Sequence, residues 1–456
     1  MNPPFPTSWT IEQEARALLT RLDRVKPFAL NMPMVVAAAV APAAQREIEA
    51  YLHHGRRNLR RTVLRFIDWL RSPQGMGAPP DRAYSRFTLI RLHFNAVLSQ
   101  FDTFAEVMTQ RSQHDFGVWL SGLDAVAADA LAIPGDYYKA PPAICYLVRG
   151  FGAAIRRART RLPGGGRTPV AIIRIPRERM VGSGIASSLV HEVGHQAAAL
   201  LKLVDSLRPV LHGMQTGPDR IAWQLWERWI SEIVADFWSL SRVGITSTNG
   251  LIGVVSLPRP FVFRIHVDDP HPFPWIRVML SCAIGKALFP HPQWDRLAET
   301  WKSFYPPNGL DAGRASIIRS LLTTMPSLVS LLVNHRPRLL RGRSVPEVLA
   351  VERRRPARLA ALWRWWSREP HRMRHAPPSL VFAVIGQARA DGHITPERES
   401  ALVGQLLSHW ALVSTFNSDG AVHRCRHGNS PGGCNQCQPG PSRPRHRMHE
   451  PMSSEA

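Results

Sequence analysis

His191-Glu192-Val193-Gly194-His195 sets two imidazoles four positions apart with a carboxylate between them. On a helix this spacing turns both rings to one face, where they can grip a single Zn²⁺, and it leaves Glu192 beside them to take a proton from zinc-bound water. Five residues alone recur by chance in long chains, so the neighbouring sequence has to support the geometry. A strand-like run from Pro169 to Ile175 ends at Pro176, and a helix-compatible stretch runs from an N-cap at Ser183 to Arg208. The motif therefore falls in mid-helix.

A zinc hydrolase needs a third protein ligand and one open position. The extended pattern with a third histidine six residues on fails, because Ala198 and Leu201 occupy its Gly and His positions. Asp205 lies two to three turns further along the same expected helix, too far to reach back. A second helix, Ile221 to Ser241, offers Glu232 and Asp236 at i,i+4 on one face. Glu232 is the better third ligand, and Asp236 is placed to accept the free N–H of a ligand histidine, His191, and so fix its tautomer.

The ordered set His191-Glu-x-x-His195, Glu232-x-x-x-Asp236 and His271-Pro followed by Arg277 resembles the gluzincin metallopeptidases of the heat-shock and CAAX-prenyl protease type. The resemblance spans about residues 169 to 290. It implies a zincin-like catalytic core, with His271 and Arg277 binding substrate or steadying the tetrahedral intermediate. Those enzymes are integral membrane proteins, whereas no membrane span is predicted here, so the catalytic core carries over and the substrate does not.

The residues make their own case for this third element. Three prolines in the loop from Asp268 to Pro274 stiffen it and fix where His271 points. Arg277, in the first turn of the following helix, is a permanent cation able to face an oxyanion, unless it simply meets Asp268 or Asp269. Glu192 serves as general base and then passes its proton to the leaving amine. Ile172 and Ile173 are expected on an edge strand that holds an extended peptide, or equally on a buried strand.

Composition bounds the rest. The chain has 456 residues, 45% hydrophobic and 20% charged, which fits a folded protein of several units rather than a disordered one. The N-terminus shows no basic region followed by an apolar run, the longest candidate span (Met34 to Ala44) is too short to cross a bilayer, and a cytoplasmic location is expected. The net charge of +23 invites an anionic partner, nucleic acid included. Yet clusters such as Arg56-Arg57 and Arg60-Arg61 are dispersed, only five of the 57 basic residues are Lys, and solvated helix faces account for most of them.

The expected fold is α+β and predominantly helical: a helical region over 1–135, a zincin-like core with a small sheet over 136–290, a helical region over 291–415, and a Cys/His tail over 416–456. Within the core, Ala143 to Val148 and Val170 to Ile175 read as strands and Ala153 to Arg161 as a helix. Gly150-Phe-Gly152 reads as a βα turn, since a dinucleotide loop requires a further small residue where Ile155 stands. Ala390 to Glu397 reads as a turn between helices, without the ligands of a calcium loop. In the tail, Cys425, His427, Cys434 and Cys437 could close a second, structural Zn²⁺ site. The predicted function is zinc-dependent hydrolysis of a peptide or protein substrate; the alternative is a non-catalytic zinc-containing interaction protein that uses its basic helices.

Overall fold

A computed structural model describes residues 7–24, 35–149, 152–162, 165–266 and 268–426. Contacts divide the chain into two units, Met1–Thr415 and Phe416–Ala456, and the elements that position the candidate site lie in the first. The N-terminal helices are α1 (Thr7–Arg24), α2 (Pro42–Arg71), the single turn α3 (Pro73–Met76), α4 (Pro80–Arg111) and α5 (His114–Leu131). Three strands follow, β1 (Ala143–Val148), β2 (Ala154–Arg156) and β3 (Ala171–Pro176). Then come α6 (Gly184–Leu201), α7 (Leu203–Gly213), α8 (Arg220–Val243), α9 (Ile245–Val255), α10 (Arg259–Val262) and α11 (Pro274–Leu288). The remainder is α12 (Gln293–Phe304), α13 (Ala312–Asn334), α14 (Val345–Leu349), α15 (Pro356–Trp366), α16 (His371–His375), α17 (Pro378–Ala390) and α18 (Pro396–Arg426). The described chain is thus mostly helical with one small mixed sheet. Proline in the first turn of α2, α4, α11, α15 and α17 presets the backbone angle that starts each helix.

The strand order is β1-β3-β2, with β1 parallel and β2 antiparallel to β3. Side chains alternate across the pleat. Ile144 and Ile172 enter an apolar core shared with α1, α2 and α4, while Cys145, Leu147, Ile173 and Ile175 enter a second core with α5, α6 and the helices that follow. Ile172 and Ile173 are therefore on the central strand, and the edge-strand expectation is corrected: a run buried on both faces is the signature of a strand with neighbours on both sides. Ala153 to Arg161 is not a helix either. Pairing of Ala154–Arg156 with β3 outweighs local propensity, and the chain then turns through Arg159, at φ 65°, to an antiparallel bridge between Arg161 and Arg167.

The two edges of this sheet are unlike. Along β1, Gln110 of α4 both donates to the Leu147 carbonyl and accepts from the Leu147 N–H, each at 2.7 Å. Asp124 accepts from the Cys145 N–H at 2.7 Å, and Arg111 donates to the Cys145 carbonyl at 2.7 Å. Side chains from α4 and α5 thus take the place of a fourth strand and satisfy backbone groups that burial would otherwise penalise. Strand β2 forms the opposite edge, and its Ala154 and Ile155 line the cleft described below.

Helix α6 ends earlier than expected. Lys202 adopts the left-handed conformation (φ 51°, ψ 38°), so Asp205 and Pro209 belong to a separate helix, α7. Two glycines set how closely other helices approach α6. A Cβ on Gly194 would stand 2.9 Å from the Cα and carbonyl oxygen of Ala235 in α8, and one on Gly250 of α9 would stand 2.2 Å from the Ser187 Cβ. The N-terminus of α6 is tied down by Glu399 of α18, buried at 5% exposure, which accepts from the Ser183 N–H at 3.1 Å and from the Ser183 hydroxyl.

One helix, α13, is long and apolar enough to cross a membrane by length and composition, a run outside the sequence expectation. Here it packs on α8 and α11 and buries Ile318, Leu321, Leu328 and Leu332. The turn expected near Ala390 to Glu397 does connect two helices, α17 and α18.

The contact at Gly194 leads to a first prediction. Gly194→Ala drives a methyl group into the α8 backbone and should destabilise the fold by about 1–3 kcal/mol. Chemical denaturation measures this, and an unchanged midpoint would contradict the close helix contact.

Candidate metal centre

The α6–α8 crossing brings His191, His195 and Glu232 into one group whose possible ligand atoms all lie within 4.8 Å of one another. Both imidazoles leave the same face of α6, with ring centroids 4.9 Å apart and planes at 86°. His191 Nε2 is 3.3 Å from Glu232 Oε2, and His195 Nε2 is 3.3 Å from Glu232 Oε1. Ligands about 2.0–2.1 Å from a tetrahedral Zn²⁺ stand roughly 3.3–3.4 Å apart, so each of these contacts, which end on different Glu232 oxygens, has the length of one edge of a zinc tetrahedron.

The outer nitrogens of the two rings are also engaged. His191 Nδ1 lies 2.7 Å from Asp236 Oδ1, and His195 Nδ1 lies 3.5 Å from the Ser231 hydroxyl. Asp236 in turn accepts from Arg277, at 2.7 Å from Nε and 2.9 Å from a terminal nitrogen. The same terminal nitrogen reaches Glu232 Oε2 at 3.4 Å. Arg277 therefore lines the cleft with two of its three nitrogens committed to carboxylates, rather than meeting Asp268 or Asp269.

His271 meets Asp269 instead. Its backbone N–H donates to Asp269 Oδ1 at 2.9 Å, and Nδ1 lies 2.8 Å from the same oxygen. This turns Nε2 toward the group, 3.5 Å from Glu232 Oε2, on a side chain that stays half exposed. The proline-rich loop is pinned to α8 from both sides: the Trp229 indole donates to the Asp269 carbonyl at 3.2 Å and packs edge-on against Phe273, and Arg228 pairs with Asp268.

Burial and charge act together on the titrating groups. Burial disfavours a charged His191, but Asp236 beside it outweighs that and lifts its pKa to about 9. Burial also raises Asp236 and Glu232. The Arg277 charge, joined by His191, overrides it to hold Asp236 at about 2, and contacts from both imidazoles hold Glu232 far below the usual carboxylate range. Glu192 is different. Burial lifts it above its ordinary value despite the two neighbouring imidazoles, as suits a group that exchanges protons. Without metal, a protonated His191 thus lies between two ionised carboxylates, in a place whose charge favours a cation.

The group sits on a cleft of about 530 Å³. One wall is β2 and its flanks, with Gly152, Ile155 and Arg157; the opposite wall is α9, with Ser247, Leu251 and Val254; Glu192 lines the floor. Of Gly150-Phe-Gly152, the first two residues lie outside the described residues. Gly152 has a positive φ of 92° and leads into a strand, not a helix, which corrects the βα turn to a β-to-β connection. His427, Cys434 and Cys437 of the expected second zinc site lie outside the described residues, as does the Cys425 side chain. Comparison of the chain with protein-family profiles, with curated proteins and with solved structures finds no match.

The sequence reading overlooked Ser231 and the β2 wall, and it weighed Asp269 as a partner of Arg277 rather than of His271. Ser231 precedes Glu232 and Asp269 lies two residues before His271, so each was within reach of a search for hydrogen-bonding partners of the site histidines.

The charge arrangement fixes a pH dependence. Zinc requires the neutral imidazole, and in the metal-free protein His191 keeps its proton up to about pH 9. Affinity should therefore rise with pH, about tenfold per unit below pH 9, and level off above it. Asp236→Asn removes the carboxylate that holds the proton, so its plateau should begin at lower pH. Chelator-competition titrations from about pH 6.5 to about pH 9.5, restricted to the binding that Glu232→Ala abolishes, would show both effects.

Proposed function

We propose that the chain is a zinc-dependent metallopeptidase with His191, His195 and Glu232 as metal ligands and Glu192 as general base. The reading is carried by one observation: the three candidate ligands converge on a cleft that Glu192 also lines, which leaves room beside them for water and a substrate. When bound, zinc supplies a Lewis acid that acidifies water and polarises a carbonyl.

The chain's own residues divide the remaining work. A Glu192 carboxylate oxygen takes the proton from the attacking water and delivers it to the leaving amine, helped by a pKa that burial has raised toward the working range. Asp236 holds His191 by its Nδ1, so that Nε2 presents its lone pair to the metal. Arg277 keeps Asp236 ionised and places positive charge against Glu232 at the cleft wall. His271, oriented by Asp269 through Nδ1, reaches the same wall from its stiff loop and in its imidazolium form can donate from Nε2 to a developing oxyanion.

A peptide is the substrate class best suited to the β2 wall. One edge of the sheet is sealed by Gln110, Arg111 and Asp124, while the other borders the cleft, where an extended chain can add to it through main-chain hydrogen bonds. Leu251 and Val254 offer an apolar surface opposite.

The decisive comparison is wild type against Glu192→Gln on a proteome-derived peptide library, read by mass spectrometry with the zinc content of both proteins measured alongside. The variant should keep its metal and lose cleavage by at least about 10²–10⁴-fold. Identical fragment patterns from the two proteins would instead favour a non-catalytic, zinc-stabilised interaction protein.

A further inference from the structure

A second cavity, of about 590 Å³, opens between α2, α4 and the turn at residues 165–166. Its walls carry Arg61 and Arg65 from α2, His93 from α4 and Arg167 from just beyond the turn. Arg61 and Arg65 are one helical turn apart, which sets their Cβ atoms about 6 Å apart on one face of α2. All three arginines are exposed, and among the described residues none has an ion-pair partner.

The absence of carboxylates in these walls sets the cavity apart. The metal cleft is lined by Glu192, Glu232 and Asp236, and the cavity beside Ser183 by Glu178 and Glu399, but the walls between α2 and α4 contain no Asp or Glu. Pairing is available elsewhere on the same helix, where Arg56 and Arg60 both face Asp23. Uncompensated like charges four residues apart on a helix are mildly destabilising, and a concave low-dielectric surface focuses their field.

The walls are also well fixed. Gly165 and Gly166 have positive φ values of 92° and 84°, and a Cβ on Gly166 would stand 3.5 Å from the Tyr51 ring, so the turn rests against α2. Arg167 is held in the bridge to Arg161. Tyr51 itself packs against Phe101 and Phe104.

We propose that this groove is a binding site for a ligand carrying two or more phosphate groups, either a compact polyphosphate or a phosphodiester chain. A guanidinium presents paired donors that match phosphate oxygens, and three such groups on two walls can grip adjacent phosphates without reading a base. The site is independent of hydrolysis at the metal cleft.

The test uses the full chain at about 0.15 M salt with two probes: inorganic tripolyphosphate by calorimetry, and a short fluorescein-labelled single-stranded oligodeoxynucleotide by anisotropy. Arg61→Glu/Arg65→Glu is compared with Arg364→Glu/Arg368→Glu, an exposed pair with the same spacing and the same change in net charge. At least one probe should bind wild type, weaken at least about tenfold in the groove variant and less than about threefold in the control. Binding of tripolyphosphate alone identifies the compact ligand, and binding of the oligonucleotide identifies the chain. Failure of both probes to bind, or any smaller difference between the two variants, overturns the proposal. Thermal unfolding is measured first, and Arg61→Gln/Arg65→Gln replaces the charge reversal if that variant does not fold.

Discussion

The candidate centre depends on how closely α6 and α8 approach. Two ligands come from one helix and the third from the other, so whether they can share one ion is set by how the two axes cross, and here they cross in close contact. Gly194, between Glu192 and His195 in the chain, is what permits this: the position where a Cβ would stand is 2.9 Å from the Ala235 backbone. Ala235 lies between Glu232 and Asp236. The small residues at the crossing thus sit within the two motifs whose polar residues they bring together. Gly250 repeats the device on the α9 side, and it sets the wall that carries Ser247, Leu251 and Val254.

A second constraint is electrostatic. Asp236 is nine-tenths buried and would be costly to keep ionised there alone, so it is held between His191 and Arg277. This makes Arg277 a positioning residue before it is anything else. Its charge sustains Asp236, Asp236 orients His191, and His191 presents Nε2 to Glu232. Each member of this chain is buried or nearly so, and each lies within ion-pair distance of an oppositely charged neighbour.

The sequence made legible what local spacing controls. Two i,i+4 pairs, His191 with His195 and Glu232 with Asp236, announce shared helix faces, and β1 and β3 announce themselves as apolar β-branched runs. What it concealed depends on distant partners. Strand β2 is three residues long among arginines, with no pattern of its own, and exists because β3 offers it an edge. Glu399 caps α6 from 216 residues away. The break at Lys202 rests on a left-handed residue that is not glycine, and the sequence gives no warning of it. Position along the chain thus foretold the candidate metal-binding side chains, whereas the cleft beside them came from pairings no local window contains.

The charge distribution connects these features to the molecule as a whole. In a chain of net charge +23, a cleft lined by Glu192, Glu232 and Asp236 runs against the general balance. Three carboxylates converging there repel one another, and Arg157 and Arg277 on the same cleft offset two of their charges, which leaves the third to a protonated His191. A divalent cation can replace the imidazolium proton and satisfy Glu232 directly, which is why the donor set suits a metal better than it suits a purely structural ion-pair cluster. A structural cluster would not need Glu192 at the cleft, buried and with its proton affinity raised, in a position where among the described residues it forms no ion pair with an arginine or lysine. Glu192 is therefore the residue on which the proposed catalytic account differs from a structural one, because a buried carboxylate with a raised pKa beside the candidate ligands has what a general base requires.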